Sequence, residues 1–165
     1  MNKEAIESFK QAIRLDPDYA EAHVNLGAAY FKSGMHKEAI ESLKQAIRIN
    51  PDFAIAHYNL GAAYSKSGKY QEAIEPFKQA IRIKPDYADA HDSLGYAYLN
   101  LGKFQEAIES CKQAIRIDPD YVYAHFNLGL AYHYSNNRNS ALEQYEILKN
   151  LDTELANKLF NEINE

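Results

Sequence analysis

The chain has 165 residues, 46% hydrophobic and 25% charged, enough for one domain with a real core. Its formal charge of −5, with basic residues spread along the chain, argues against a nucleic-acid or anionic-membrane surface. The lone cysteine, Cys111, excludes an intramolecular disulfide or a cysteine-based zinc site, and no apolar run has spanning or signal-peptide character, so a cytoplasmic protein without membrane insertion is expected.

Residues 3 to 15, KEAIESFKQAIRL, predict an amphipathic helix with Ala5, Ile6, Phe9, Ala12 and Ile13 on its apolar face. This helix matches the second half of a unit that then recurs. DPDYAEAHVNLGAAYFKSGMHKEAIESLKQAIRI at 16 to 49 returns at 50 to 83 and 84 to 117, and a looser copy fills 118 to 151. Pro17, Pro51, Pro85 and Pro119 fall at the same place in each copy, 34 residues apart. Because the half unit lacks its first helix, part of its apolar face is expected to be uncovered: either the chain is cut from a longer array, or another copy or a partner helix covers that face as a self-association or contact edge.

Each unit reads as two helices. In the second copy the first is expected over residues 54 to 67, closed by Gly68 in the left-handed conformation, with Gly34, Gly102 and Asn136 as counterparts. The second, over 71 to 83, buries Ala73, Ile74, Phe77, Ala80 and Ile81 and exposes Glu72, Glu75, Lys78, Gln79 and Arg82. Pro85 ends it, and Asp86 is expected to cap the next helix. After the fourth copy, Thr153 is expected to cap a final helix in which Leu155, Leu159, Phe160 and Ile163 cover the last unit. Two helices cannot bury their apolar faces alone, whereas stacked copies can. The expectation is an all-α solenoid in a single domain: a half repeat (1–15), repeats 20–53, 54–87, 88–121 and 122–152, and a capping helix (153–165).

The 34-residue period and the run His57, Leu60, Gly61, Tyr64, Ala73, Phe77, Ala80, Pro85 resemble the tetratricopeptide repeat, W-x2-L-G-x2-Y…A-x3-F…P. The likeness covers nearly the whole chain, with one systematic departure: His23, His57, His91 and His125 stand where tryptophan is usual. The resemblance implies a right-handed superhelix of antiparallel helix pairs that binds peptides or proteins in its concave groove, with no catalytic activity of its own.

Candidate groove residues follow from helix geometry. Numbering each first helix from Ala20, Ala54, Ala88 and Val122 and turning about 100° per residue puts the nearly identical columns 3, 4, 7, 8, 10 and 11 on one side. The columns that differ fall on the opposite arc. They are Glu21, Ile55, Asp89 and Tyr123 (column 2); Val24, Tyr58, Asp92 and Phe126 (column 5); Ala28, Ala62, Tyr96 and Leu130 (column 9); Phe31, Ser65, Leu99 and His133 (column 12); and Lys32, Lys66, Asn100 and Tyr134 (column 13). Packing must stay alike between copies while a ligand surface is free to diverge, so this arc is the candidate site. Asn25, Asn59 and Asn127, interrupted by Ser93, form column 6 at its border. Resemblance to family members with asparagine ladders implies a grip on a peptide backbone; bonding to a neighbouring helix or to water is the alternative.

The histidine column is read as half-buried packing, since helices about 8 to 10 Å apart do not bring imidazoles to a common zinc at about 2 Å. The carboxylate clamp known in the family needs cations at columns 2, 5 and 6, which are absent here. The arc instead carries aromatic surface with acid at Asp89 and Asp92, so the expected ligand has an apolar or aromatic anchor and a basic residue; the tyrosines, 13 in the chain, could alternatively serve only to shield neighbouring helices. No phosphate loop, nucleophile elbow or cofactor motif appears, and Cys111 occupies the core place of Leu43 and Phe77. Three functions fit: a peptide-binding or protein-binding adaptor, a self-associating scaffold, and the substrate-recruiting segment of a larger enzyme.

Overall fold

The computed structural model describes residues 2–164; Met1 and Glu165, at the outer ends of the expected segments 1–15 and 153–165, lie outside the described residues. The helices are α1 (Asn2–Leu15), α2 (Ala20–Lys32), α3 (His36–Ile49), α4 (Ala54–Lys66), α5 (Tyr70–Ile83), α6 (Ala88–Asn100), α7 (Phe104–Ile117), α8 (Val122–Tyr134), α9 (Arg138–Leu151) and α10 (Thr153–Asn164). No strand occurs among the described residues, and no helix is long and apolar enough to cross a membrane. The chain forms two compact units, Met1–Pro85 and Asp86–Glu165. In the first, α2 pairs with α3 and α4 with α5, α1 lies on α2, α3 on α4, and α2 meets α4. In the second, α6 pairs with α7 and α8 with α9, α6 and α7 both meet α8, and α10 packs on α8 and α9. The architecture is an all-α solenoid of antiparallel helix pairs.

The turns inside each pair close as the sequence predicts. Gly34, Gly68 and Gly102 have φ of +75°, +73° and +70°, and Asn136 takes φ +61° in the fourth copy. The next N–H in each case, from Met35, Lys69, Lys103 and Asn137, returns to the carbonyl of Tyr30, Tyr64, Tyr98 and Tyr132, which satisfies an acceptor the helix end would otherwise leave open.

The turns between pairs differ from expectation. Asp86 does not cap α6: Tyr87 holds the cap position and no side chain bonds the first turn. Asp86 lies one residue too early, and the equivalent turns are instead braced from before the proline, where Asp16, Asn50 and Asp118 accept the N–H of Asp18, Asp52 and Asp120. The histidine column adds a second brace. The ring Nε2–H of His23, His57 and His125 donates to the carbonyl of Pro17, Pro51 and Pro119 at 3.0, 2.8 and 2.9 Å. A carbonyl can only accept, so this bond fixes the tautomer and ties each first helix to the turn that launches it. Thr153 is likewise not the cap of α10; Asp152 Oδ1 accepts the Leu155 N–H at 2.9 Å.

Packing inside each pair rests on a close approach at glycine. A Cβ on Gly27 would lie 2.7 Å from Leu43 Cγ, on Gly61 2.6 Å from Phe77 Cε1, and on Gly95 2.5 Å from Cys111 Sγ. Leu43, Phe77 and Cys111 are all fully buried. In the looser fourth copy the same space over Gly129 is filled by Leu159 of α10. That helix buries Ala156, Leu159 and Ile163, while Phe160, expected to cover the last unit, is 42% exposed and lies against the Tyr145 ring. Arg138 donates to the carbonyl of Ile163, fastening the end of α10 to the start of α9. In α5, Ala73, Ile74, Phe77 and Ala80 are buried as expected, but Ile81 is half-buried and Gln79, expected to be exposed, is also half-buried.

The apolar face of α1 is partly covered. Ile6 is buried with Leu26 and Ala29 of α2, and Phe9 and Ile13 pack on that cluster, so Ile6 is not open as the self-association edge requires. Ala5, Phe9 and Ala12 remain half-buried, whereas their counterparts Ala39, Leu43 and Ala46, or Ala73, Phe77 and Ala80, are 0% exposed.

The glycine contact gives a sign-reversal test. Gly61→Ala should destabilise by about 1 to 3 kcal/mol, because Phe77 has no room to move. In a Phe77→Ala background the same change should become neutral or stabilising by up to ~1 kcal/mol, since only the helix-propensity gain remains. Urea unfolding of the four variants measures both.

Candidate interaction surface

The first helix of each pair (α2, α4, α6, α8) carries the divergent arc, and the structure divides that arc into an open centre and two covered edges. Columns 2, 9 and 13 lie at the centre by helical phase, while 5 and 12 fall towards one edge and 6 towards the other. In the second unit the central columns are open: Asp89, Tyr96, Asn100, Tyr123 and Tyr134 are exposed and Leu130 is half-buried. In the first, Glu21, Lys32 and Lys66 are exposed and Ala28, Ile55 and Ala62 half-buried. Ile55 and Phe31 also pack against the core formed by Leu43, Leu60 and their neighbours.

Within each unit the facing edges form a seam between its two first helices, and three expected groove residues lie inside these seams. Val24 (6% exposed) belongs to the core of the first unit. Asp92 (8%) and Asn127 (7%) are buried together, with Asn127 Nδ2 donating to Asp92 Oδ1 at 2.8 Å. The reason is tertiary: column 5 of α6 faces column 6 of α8, so the neighbouring helix covers what a single helical wheel leaves open. Asn127 therefore bonds a neighbouring helix, the alternative reading of the asparagine column. Asn25 is exposed and Asn59 half-buried. Phe126, on the column-5 edge, packs with Leu130 against the α9–α10 core. Tyr58 and Leu99 are half-buried, and the Tyr58 ring leans on Phe77 at 6.0 Å between centroids. Phe31 leans on His36 at 5.5 Å.

Around Asp89 and Asp92 the chemistry is specific to the third repeat. The Tyr121 hydroxyl donates to Asp89 Oδ1 at 2.8 Å. Sequence reasoning missed Tyr121; the available signal was an aromatic residue before every first helix (Tyr19, Phe53, Tyr87, Tyr121) combined with the two column-2 carboxylates, Glu21 and Asp89, of which only Asp89 is followed by a tyrosine at that place in the next copy. Burial pushes the Asp92 carboxyl up to about 6; the Asn127 bond opposes this and the charge of Asp89 adds to it. Burial, followed by the charge of Asp92, raises the Cys111 thiol well above its ordinary value, which leaves it protonated and unreactive at neutral pH. Tyr134 stacks on Phe104 (5.8 Å, 28°) and donates to Glu162. No group of three or more metal-ligating side chains occurs among the described residues.

A family model described as TPR repeat matches residues 2–34, 31–68, 64–102 and 99–135. The chain belongs to the TPR family. Among solved structures it is similar to the crystal structure of MamA, at 31% identity with TM-score 0.87, covering 94% of this chain and 91% of that one. It is also similar to YrrB, described as a TPR protein with an unusual peptide-binding site, at 25% identity and TM-score 0.84 over 97% of this chain and 84% of that one. A fragment of MamA from Desulfovibrio magneticus RS-1 shares the fold at 23% identity and TM-score 0.86, over 93% and 86% of the two chains. Comparison with curated proteins finds no match.

The buried acid makes a pH prediction. Its folded pKa of about 6 lies above the ordinary value of 3.8, so this group's favourable contribution is complete below about pH 4 and lost as pH rises through about 6. Asp92→Asn should therefore match the wild-type chain near pH 4 and exceed its unfolding free energy by on the order of 2 kcal/mol at pH 7.5. Equal pH profiles in denaturant titrations of the two proteins would contradict this.

Proposed function

We propose that this TPR chain is a non-catalytic interaction module that binds a peptide or protein segment on the open columns of its first helices, the segment carrying an apolar or aromatic anchor and a basic residue. The observation that carries the reading is the contrast between columns. Packing positions are nearly identical in the four copies, while the central columns diverge and present Tyr96 (41% exposed), Tyr123 (62%) and Tyr134 (45%). Large exposed aromatics on one face are what binding surfaces hold and packing does not require. The peptide-binding site attributed to YrrB supports the same use of the fold. In the first unit Asn25 and Asn59 keep their amides for a backbone contact. A second reading, self-association, is supported by the half-burial of Ala5, Phe9 and Ala12 where their counterparts are fully covered; sedimentation across a hundredfold concentration range, with Phe9→Glu as control, tests it.

Selection of a displayed random peptide library on the purified chain tests the main reading. Enriched peptides should bind with affinities weakened about tenfold or more by Tyr123→Ala and unchanged by Glu75→Ala on the outer face of α5. Failure to enrich any sequence, or equal losses from both variants, would contradict it.

A further inference from the structure

The third repeat departs from the others at one buried position. Column 5 holds Val24, Tyr58 and Phe126 elsewhere, and Asp92 here. A carboxylate with one neutral hydrogen bond is a costly occupant of a seam that valine or phenylalanine fills, and strongly perturbed carboxyls of this kind concentrate at functional sites. An ionised carboxylate accepts about four hydrogen bonds; Asp92 receives one, from Asn127. Among the described residues no lysine, arginine or histidine lies within ion-pair distance of Asp92 or Asp89.

Asp92 Oδ2 accepts no hydrogen bond among the described residues, although the residue is 8% exposed. Asp89 and Tyr96 lie one turn to either side of Asp92 along α6, and Tyr123 stands 62% exposed on α8. The two helices are held in register there by the Asn127–Asp92 and Tyr121–Asp89 bonds.

We propose that the α6–α8 seam is the subsite for the ligand's basic residue, a lysine or arginine side chain taken up by Asp92 between the exposed rings of Tyr96 and Tyr123, and that Asp92 is the specificity-determining residue. This rests on the peptide-binding reading above. An ionic donor to a largely desolvated carboxylate forms a short, strong bond, and a cation beside tyrosine faces gains further attraction. The exposed Asp89, already engaged by Tyr121, contributes field more than contact. A cation supplied by the ligand offsets the cost of the buried, singly bonded carboxylate, so the site is selective for charge and not only for shape.

The test uses the full chain and peptides enriched from the random library, each resynthesised with its lysine or arginine replaced by norleucine and titrated calorimetrically. The replacement should weaken binding about tenfold for the wild-type chain and less than about twofold for Asp92→Asn, which keeps the shape and the Asn127 bond; Asp89→Asn should retain most of the discrimination. Enriched peptides without a basic residue, or a norleucine penalty that survives Asp92→Asn, would overturn the assignment while leaving peptide binding intact. If no peptide is enriched, the underlying reading fails and the assignment with it. Circular dichroism at the titration temperature confirms that both variants remain helical.

Discussion

The close approach of the paired helices at Gly27, Gly61 and Gly95 is the contact on which the rest of the structure depends. With no Cβ there, the first helix of each pair sinks onto Leu43, Phe77 or Cys111 until a methyl group would collide. The surrounding positions must then be small or precisely shaped, which is why the alanines beside them, such as Ala39, Ala73 and Ala107, are 0% exposed. Side chains on the opposite side of the same helix are released from that demand. Packing side and divergent side are thus separated by helical phase within a helix of 13 residues.

The same arithmetic explains why the surface is narrower than one helix implies. Each first helix has a pairing partner below and, within a unit, a sibling beside it, so its edges become seams. Val24 fills one such seam with hydrocarbon; Asp92 and Asn127 fill another with a polar pair. The histidine column works at a third boundary, holding the turn before each first helix by a bond to a proline carbonyl. An imidazole can make that bond and still pack its ring, which accounts for a polar residue at a place where tryptophan is usual.

Much of this was legible in the sequence because repetition averages out local ambiguity. The period, the pairing of helices, the left-handed closures at glycine and Asn136, and the buried Ala73, Phe77 and Ala80 all follow from pattern alone. What escaped was decided by neighbours. Asp86 and Thr153 have capping chemistry but lie one residue off the places where the chain turns, and Asp152 takes the second role. Phe160 has the right polarity for burial, yet Ala156 and Leu159 occupy the contact and leave its ring on the surface against Tyr145. Val24, Asp92 and Asn127 sit on the divergent arc by helical phase, and only the adjacent helix shows that they are enclosed. The hydroxyl of Tyr121, reaching back to Asp89 across 32 residues, shows only when successive copies are aligned, as a tyrosine following the copy with Asp89 in column 2.

We place recognition on the divergent face of α2, α4, α6 and α8 and not on the outer faces of their partners. Amide chemical-shift mapping of the isotope-labelled chain during titration with an enriched peptide tests this most directly. Perturbations should concentrate at columns 2, 9 and 13, with Tyr96 and Tyr123 foremost, and leave Glu41, Glu75 and Glu109 on the exposed side of α3, α5 and α7 little changed. Perturbations centred on those glutamates, with the tyrosine columns silent, would contradict it.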